Sequence, residues 1–432
     1  MKYYFTLLMI LLLNSAISLA GVQATIAQTT QEYLSSRFLN AAFLFADSNT
    51  NLIVGAKGLF SIYGEQLKAN QEMAIGASTK PIIAAAILRL QDQGLLNVAD
   101  KIANYVENEY WPSEKLPKFI KEITIHNLLT HTSGLPEYTN KVSNDLKLSQ
   151  KENIKNIIKF VFSNLPSTNT QLNKYNYSNS NFILLGMIIE KVSKKDLRKF
   201  LHDEFFKPLK MSATKLATFY EAQEMQKNSA VSNYPLRYLV QPNNNSKPKF
   251  VLIGSQLSSA ANSFLVPYAD GGIVSNTFDL IKWHRALHQG KILSENSYRL
   301  MTTKHYLVHL KGKSATGTDV LDDVSSGKKN LIINLNQKLH TTYTGYGIFI
   351  AELNDKDILI HHPGGSTGFG VRSEVGYIPS KDFYFAILSN VVVQIPKDGE
   401  LKVDMNNIAN QLDISYFREA IINAIIYNDA KI

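Results

Sequence analysis

The distribution of strand-like and helix-like segments along the 432 residues constrains the fold most strongly. Near the N-terminus, two apolar runs flank the turn-forming segment 47–51, which predicts a β-hairpin. Residues 94–265 carry few strand signals and mostly helical spacings of apolar residues. Strand-like runs separated by turn residues return after residue 345. Because both chain ends supply strands, we predict one sheet built from both ends around an inserted helical region.

Composition indicates a globular chain and excludes several kinds of chemistry. Apolar residues make up 45% of the sequence, and the net charge of +9 is spread without an arginine-rich run. We therefore predict no nucleic-acid partner. The sequence contains no cysteine, which excludes disulfides, thiol catalysis, cysteine-rich zinc sites and a lipid anchor on an N-terminal cysteine. No cofactor is expected.

The first residues have the pattern of a secretory signal. Lys2 precedes an apolar run from Phe5 to Leu13, and small residues follow up to Ala24. We expect a signal peptide over residues 1–24, cleaved after residue 20 or 24. The alternative is an uncleaved membrane anchor, but the run is shorter than the roughly 20 residues that span a bilayer, so we expect no integral anchor. Export without cysteines is more typical of a bacterial periplasm, where we expect the protein to reside.

The segment IGASTK, residues 75–80, opens a predicted helix that ends near Gly94. A lysine in the first turn of such a helix is typical of hydrolases whose nucleophilic serine lies three residues earlier. That position holds Ala77, which has no hydroxyl. Ser78 is rotated by about 100° from residue 77 on a helix and does not share a face with Lys80. Ser78 could therefore act as a substitute nucleophile only if the turn before the helix were reshaped, for example by Pro81.

Three separated segments together carry a family pattern. They are Ala77-Ser78-Thr79-Lys80, Tyr177-Ser178-Asn179, and His362-Pro363-Gly364 followed by Gly365. In this order they resemble the class C β-lactamase and D-alanyl-D-alanine carboxypeptidase family of penicillin-recognising serine hydrolases. The family pattern is Ser-x-x-Lys, then Tyr-x-Asn, then Lys-Thr-Gly or His-x-Gly. The stretches ITIHNLLTHTSGLPEY, GGIVSNTFDLIKW and GYIPSKDFYFAILSN also match, so the resemblance extends from about residue 30 to about residue 395.

The resemblance implies an α/β (α+β) fold of the β-lactamase/transpeptidase type. In this fold an antiparallel sheet from both chain ends is flanked by helices and interrupted by a mostly helical region. We expect one hydrolase domain over residues 30–432. Its sheet part would cover about residues 30–80 and 268–432, and its helical part about residues 81–267.

The resemblance also implies catalytic roles for the first two motifs. Ala77 occupies the nucleophile position, at a helix N-terminus where free backbone N–H groups favour negative charge. Lys80 would help to deprotonate the nucleophile. Tyr177 would act as general base or proton shuttle. An alanine cannot form an acyl-enzyme, so residue 77 is the main departure from the family.

The remaining motif residues are implied to bind substrate. Asn179 would bind the substrate amide, and His362 would orient or neutralise a substrate carboxylate. Gly364 would let the substrate backbone pass closely. The backbone N–H groups of residue 77 and Gly365 would form the oxyanion hole.

The expected activity is acyl transfer to water, on a peptide ending in D-alanine, a β-lactam or a small ester. The alternative is a catalytically inactive protein that binds peptidoglycan stem peptides or a protein partner through the same cleft, since binding can survive loss of the nucleophile. The sequence leaves open whether Ala77 reflects a recent natural loss, a deliberate substitution or a site kept for binding. A further alternative is a metal-dependent hydrolase that uses His284 and His288. Neither a third ligand nor an acidic motif accompanies them, so no metal site is predicted.

Overall fold

A computed structural model provides the structure of the chain. It describes residues 21–35, 39–60, 64–106, 118–139, 141–142, 145, 147–166, 168, 170–218, 221, 236–241, 249–255, 268–310, 313–314, 340–366, 371–394 and 414–427. The predicted signal peptide lies outside the described residues up to residue 20.

The principal sheet combines strands from both ends of the chain. Its order is β2-β1-β15-β14-β12-β11-β10-β8-β9, with β13 paired to β14, and its pairs are antiparallel. This confirms the predicted antiparallel sheet. The described strands are β1 (Ala41–Ala46), β2 (Asn51–Lys57), β3 (Met73–Ala74), β4 (Lys215–Leu216), β5 (Leu236–Gln241), β6 (Lys249–Ser255), β7 (Ile273–Ser275), β8 (Tyr306–Leu310), β9 (Lys313–Ser314), β10 (Thr341–Thr344), β11 (Phe349–Glu352), β12 (Ile358–His361), β13 (Gly364–Ser366), β14 (Val371–Ile378), β15 (Phe383–Ser389) and β16 (Val391–Gln394).

Helices cover both faces of this sheet. The described helices are α1 (residues 21–35), α2 (Lys80–Asp92), α3 (Ala103–Val106), α4 (Ile125–Leu129), α5 (Gln150–Ser163), α6 (Ser180–Ser193), α7 (Leu197–Leu201), α8 (Thr277–His288), α9 (Glu295–Met301) and α10 (Ile414–Tyr427). The helix predicted after IGASTK is α2, and Gly94 just beyond it has φ +71°. Such a glycine after the last turn is a common way to end a helix.

The β1–β2 hairpin illustrates how local sequence sets a turn. The Asp47 carboxylate accepts hydrogen bonds from the backbone N–H groups of Asn49 (2.7 Å) and Thr50 (2.6 Å). An aspartate that bonds the backbone two and three residues ahead stabilises a tight turn. The strands on either side then pair antiparallel, as predicted.

Alternation along β1 divides the core into two layers. Phe43 and Phe45 pack on Phe417 of α10, with ring centroids 5.3 and 5.6 Å apart. Leu44, between them, faces the larger apolar cluster that contains α2 and α6. Because side chains of a strand point alternately to opposite faces, one strand serves both layers.

The inserted region departs from the prediction at residues 236–255. Residues 94–265 were predicted to be mostly helical, but β5 and β6 pair antiparallel, and β5 pairs parallel with β16. The β5 and β6 segments are rich in strand-forming Tyr, Val, Leu and Ile. The parallel partner strand β16 comes from the far end of the chain, so local sequence does not contain that pairing.

A buried ion-pair network attaches α10 to β14. The guanidinium of Arg418 donates to Glu374 and to Glu419, each at 2.6 Å. Ser415 donates to Glu374 at 2.6 Å and accepts from Arg372 at 2.7 Å. The two arginines and two glutamates carry equal and opposite formal charge, so the network is internally neutralised.

Candidate active site

A tight turn places residue 77 at the head of α2. Residues Gly76–Thr79 form a single 3₁₀ turn, and α2 follows directly with Pro81 in its first turn, where proline is tolerated. Gly76 has φ +51°, and a Cβ there would lie 2.7 Å from the backbone nitrogen of Gly365. Only glycine meets both demands. The turn therefore lies directly against β13.

Ala77 and Ser78 differ in what they face. Ala77 is partly exposed and lines a cavity of about 280 Å³. Ser78 is 5% exposed, and its hydroxyl donates to the backbone oxygen of His362 at 2.7 Å. The same hydroxyl lies 2.7 Å from Ser373 Oγ. The hydroxyl of Ser78 is thus held beneath β13 and β14 and is not part of the cavity lining.

The cavity brings the three sequence motifs together. It is lined by Ala77, Tyr175, Tyr177, Val308, His309, Thr342, Phe349, His361, His362, Pro363, Gly364, Gly365, Arg372 and Glu374. Lys80 and Asn179 lie beside this lining. They are hydrogen-bonded to each other, and the Lys80 nitrogen lies over the ring of the lining residue Tyr177. The sequence alone indicates each of these motif residues. Their spatial convergence is a property of the fold.

Lys80 is fully buried at the base of the site. Its ammonium nitrogen donates to Asn179 Oδ1 at 2.7 Å and to the backbone oxygen of Asp270 at 2.6 Å. Burial lowers the pKa of Lys80 to about 8, although the carboxylates of Asp270 and Glu137 act in the opposite direction. A neutral amine has two N–H groups and one lone pair. With both N–H groups used by these acceptors, the lone pair of neutral Lys80 would remain free to accept a proton from a hydroxyl placed at position 77.

Tyr177 is positioned by two neighbours. Its ring stacks on His131 at 4.2 Å between centroids, and the Lys80 nitrogen lies 5.2 Å from the centre of the Tyr177 ring. The ring nitrogen Nδ1 of His131 accepts from the backbone N–H of Ser178 at 3.2 Å. Burial raises the pKa of Tyr177 well above its ordinary value. Tyr177 is therefore a protonated phenol at neutral pH, able to donate a proton but a poor base.

Asn179 is held by residues at the end of the HTSGLPEY stretch and directly after it. Its backbone N–H donates to Glu137 Oε2 at 2.6 Å, and its side-chain nitrogen donates to Thr139 Oγ1 at 3.1 Å. Its side-chain oxygen accepts from Lys80. The amide therefore links the lysine of the first motif to the segment between α4 and α5.

Two buried polar residues near Lys80 were not selected from the sequence. The carboxylate of Asp270 accepts from the hydroxyl of Tyr138 at 2.7 Å. Burial raises the pKa of Asp270 and raises that of Tyr138 well above its ordinary value. Tyr138 is the last residue of the family-matching stretch ITIHNLLTHTSGLPEY, and Asp270 lies directly before the family-matching stretch GGIVSNTFDLIKW. Nothing in their local pattern distinguishes them from structural residues, so only the contact with Lys80 identifies them.

The third motif forms the opposite wall of the site. A Cβ on Gly364 would lie 2.9 Å from the backbone nitrogen of Ser78 and still closer to the backbone oxygen of Ile75. Glycine thus lets β13 lie directly on the turn that carries residue 77. His362 is 3% exposed, and its ring centroid lies 4.9 Å from that of Phe349. Burial lowers the pKa of His362 to about 3.

The helical pair His284 and His288 lies elsewhere, on α8. His288 contacts the hydroxyl of Tyr298 at 2.9 Å and stacks on Tyr377 at 4.4 Å. Within the part of the chain that the structure describes, no group of three or more metal-binding side chains converges. Across the same residues, no helix has the length and apolar character needed to cross a membrane.

Comparison with solved structures identifies the same architecture. A D-amino acid amidase from Ochrobactrum anthropi SV3, in complex with L-phenylalanine amide, superposes with a TM-score of 0.63 over 95% of this chain and 99% of that protein, at 16% identity. A penicillin-binding protein from Bacillus halodurans superposes with a TM-score of 0.58 over 91% and 98% of the two chains, at 17% identity. At such identities the likeness concerns the fold.

Sequence comparison assigns the family. Penicillin-binding protein PbpX of Bacillus subtilis (strain 168) is 29% identical over 229 residues, which are 53% of this chain and 49% of the relative. Protein flp of Staphylococcus aureus (strain MW2) is 30% identical over 159 residues, 36% of this chain and 30% of the relative. The chain thus spans half or less of the length of these curated relatives. Residues 22–409 match the family described as Beta-lactamase. The chain therefore belongs to the β-lactamase family of penicillin-binding-like serine hydrolases.

Proposed function

We propose that this chain binds small acylated ligands in the active-site cavity of its family without forming an acyl-enzyme. The ligand classes are those of the family resemblance: a peptide ending in D-alanine, a β-lactam or a small ester. The observation that carries the proposal is Ala77, which faces the cavity at the head of α2 in the place of a nucleophile. A methyl group offers no hydroxyl to acylate.

The surrounding groups favour retained recognition. Lys80 contacts both Asn179 and the ring of Tyr177, and Gly365 lies against the turn that carries residue 77. The volume of about 280 Å³ is close to the lower end of the 300–1,000 Å³ typical of ligand pockets. A terminal dipeptide or a β-lactam nucleus suits such a volume. The amidase neighbour in complex with L-phenylalanine amide is consistent with a small amide or amine ligand.

Hydrolysis by Ser78 is the competing function, and the geometry argues against it. Its hydroxyl is buried and bonded to the backbone of His362 and to Ser373. For Ser78 to reach the cavity, its hydroxyl would have to leave both contacts, and β13 would have to move away from the turn that carries residue 77. Each buried hydrogen bond lost without replacement costs about 1–3 kcal/mol. We therefore expect this chain to hydrolyse substrates only when Ala77 is replaced by a residue with a nucleophilic hydroxyl.

Equilibrium binding tests the proposal. We expect a fluorescent penicillin to bind the chain reversibly, measured by fluorescence anisotropy, and intact mass after incubation to show no adduct. Ala77→Leu is the matched control, because the larger side chain fills the cavity at its partly exposed end and should abolish binding while the thermal unfolding midpoint changes little. A covalent adduct on the unaltered chain, or binding that Ala77→Leu leaves unchanged, would contradict the proposal.

We also propose export to the periplasm, on the basis of the apolar run that follows Lys2. When the full chain is expressed in a Gram-negative host, intact mass of the periplasmic fraction should correspond to cleavage after residue 20 or 24. Replacing Leu11 and Leu12 with Asp should leave the uncleaved chain in the cytoplasm. Uncleaved protein in the membrane fraction would instead support the anchor.

A further inference from the structure

Two acceptors from different parts of the chain hold the Lys80 amine. They are the side-chain oxygen of Asn179, at 2.7 Å, and the backbone oxygen of Asp270, at 2.6 Å. A lysine side chain has a flexible four-carbon stem, so its amine stays in one place only where its hydrogen-bond partners are themselves fixed. The residues that fix Asn179 and Asp270 therefore control the position of the amine.

The amide of Asn179 is fixed by Glu137 and Thr139. The backbone N–H of Asn179 donates to Glu137 Oε2 at 2.6 Å. Its side-chain nitrogen donates to Thr139 Oγ1 at 3.1 Å and to Glu137 Oε1 at 3.4 Å. A lysine ammonium can only donate and a carboxylate can only accept, so the amide oxygen faces Lys80 and the amide nitrogen faces Glu137. Both hydrogens of this nitrogen hold the amide in that orientation.

The turn that carries Asp270 is fixed by Tyr138. The hydroxyl of Tyr138, which is 2% exposed, donates to Asp270 Oδ2 at 2.7 Å. Burial raises the pKa of Tyr138 well above its ordinary value, so the hydroxyl keeps its proton and remains the donor. The backbone N–H of Gly272 donates to the backbone oxygen of Tyr268 at 2.8 Å. The turn that presents a backbone oxygen to Lys80 is thus held both within itself and through the carboxylate of Asp270.

Glu137, Tyr138 and Thr139 are consecutive, and we call them the 137–139 segment. The segment lies between α4 and α5. The backbone N–H of Thr139 donates to Glu137 Oε1 at 2.7 Å. Directly before the segment, the backbone oxygen of Pro136 accepts from the hydroxyl of Ser180 at 2.6 Å. One short, internally bonded segment therefore contacts both groups that hold the Lys80 amine.

Two carboxylates act on the charge of Lys80. Asp270 and Glu137 favour its ammonium form and so oppose the effect of burial on its pKa. Four further ionisable side chains around the site are uncharged at neutral pH: His131, Tyr138, Tyr177 and His362. The carboxylate of the 137–139 segment therefore contributes directly to the protonation state of the amine.

We propose that the 137–139 segment positions the Lys80 amine. Its hydroxyl groups and its carboxylate fix Asn179 and Asp270, and the carboxylate also adds negative charge beside the amine. The segment belongs to the site of the proposed binding function, but its role requires no ligand, because Lys80 titrates in the free chain. The penicillin-binding experiment tests the binding function separately.

Titration of Lys80 in the full chain tests the role of the Glu137 carboxylate. Carbon-13 NMR of the chain labelled at its lysine Cε atoms follows the signal that Lys80→Met removes, and its midpoint should lie near 8. Glu137→Gln keeps an acceptor oxygen for the backbone of Asn179 but removes the charge, so the midpoint should fall by about 1 pH unit. Asp100→Asn is the matched control, because Asp100 accepts from the hydroxyl of Tyr105 and is not among the charges that act on Lys80. A midpoint that Glu137→Gln leaves unchanged, or that Asp100→Asn lowers equally, would overturn the proposal.

The hydroxyl of Thr139 tests positioning without a change of charge. Thr139→Val keeps the shape of the side chain and loses the hydroxyl, whereas Thr139→Ser keeps the hydroxyl. Both are made in the Ala77→Ser background and compared by their rates of fluorophosphonate labelling at pH 10, where Lys80 is neutral. We expect Thr139→Val to lower the rate by at least roughly tenfold and Thr139→Ser to lower it by less than about twofold.

Circular dichroism and the thermal unfolding midpoint confirm that each variant is folded. Equal labelling rates in folded Thr139→Val and Thr139→Ser would overturn the proposal. The titration of Lys80 requires no adduct, so it decides the proposal even if Ala77→Ser is not labelled.

Discussion

Ala77→Ser is expected to make the chain react covalently with a fluorescent penicillin and with a fluorophosphonate. Residue 77 lines the cavity at the head of α2, and Lys80, Tyr177 and Gly365 are already in place around it. In a serine protease, removal of the nucleophilic serine lowers kcat by about 10⁶-fold. We therefore expect labelling of Ala77→Ser to exceed that of the unaltered chain by at least roughly 10³-fold. Intact mass and fluorescence of the denatured protein measure the adduct.

A double variant separates the introduced hydroxyl from Ser78. Ala77→Ser combined with Ser78→Ala should still be labelled, because Ser78 is bonded to His362 and Ser373 outside the cavity lining. Labelling of the unaltered chain at Ser78 would show that the active-site alignment is wrong by one residue. Absence of an adduct on both Ala77→Ser variants, each shown to be folded, would mean that the site lacks acyl-transfer chemistry altogether.

Labelling of the Ala77→Ser variant should increase with pH through a midpoint near 8. Burial lowers the pKa of Lys80 from 10.5 to about 8, so the amine becomes a neutral base as the pH rises through that value. Tyr177 has a raised pKa and stays protonated over this range, whereas His131 and His362 have lowered pKa values and stay neutral. The rise is therefore assigned to Lys80. Rates of fluorophosphonate labelling between pH 6 and pH 10 measure it.

Lys80 itself can be tested by removal of its amine. Lys80→Met keeps the length and apolar stem of the side chain but removes its basic nitrogen. In the Ala77→Ser background we expect labelling at pH 8 to fall by at least roughly 10²-fold, the scale of general-base catalysis, and the midpoint near 8 to disappear. Retention of the midpoint in the Lys80→Met variant would assign the titration to a group other than Lys80 and contradict this prediction.

The same lowered pKa predicts how Lys80 affects folding stability. The unfolded chain holds the lysine proton up to about pH 10.5, whereas the folded chain releases it near pH 8. Between these values the unfolded state binds more protons, so this group makes the folded state relatively more stable as the pH rises. Below pH 8 the buried ammonium is a cost that the fold tolerates. A buried charge that lowers folding stability and lies next to a cavity is typical of a functional residue.

Local patterns were sufficient for the elements that depend on neighbouring residues. The β1–β2 hairpin follows from turn formers at residues 47–51, and α2 follows from an apolar run that ends at a glycine. Asn276 likewise caps the start of α8, where its side chain accepts from the backbone N–H of Asp279 at 2.9 Å. The β5–β6 hairpin lies in a region that was predicted to be mostly helical, and its parallel pairing with β16 joins distant parts of the chain. Local propensity does not contain that pairing.

The sequence by itself determined the family, the three motifs and the absence of a hydroxyl at position 77, because residue identities and their order need no coordinates. Only the tertiary structure decided that the hydroxyl of Ser78 lies beneath β13, and that Asp270 and Glu137 surround Lys80. It also decided that His362 holds its Nδ1 proton toward the backbone oxygen of Pro363. Burial, pKa and the choice of protonated nitrogen depend on contacts between segments far apart in the chain. Those contacts exist only once the sheet from both chain ends has closed on the helical region.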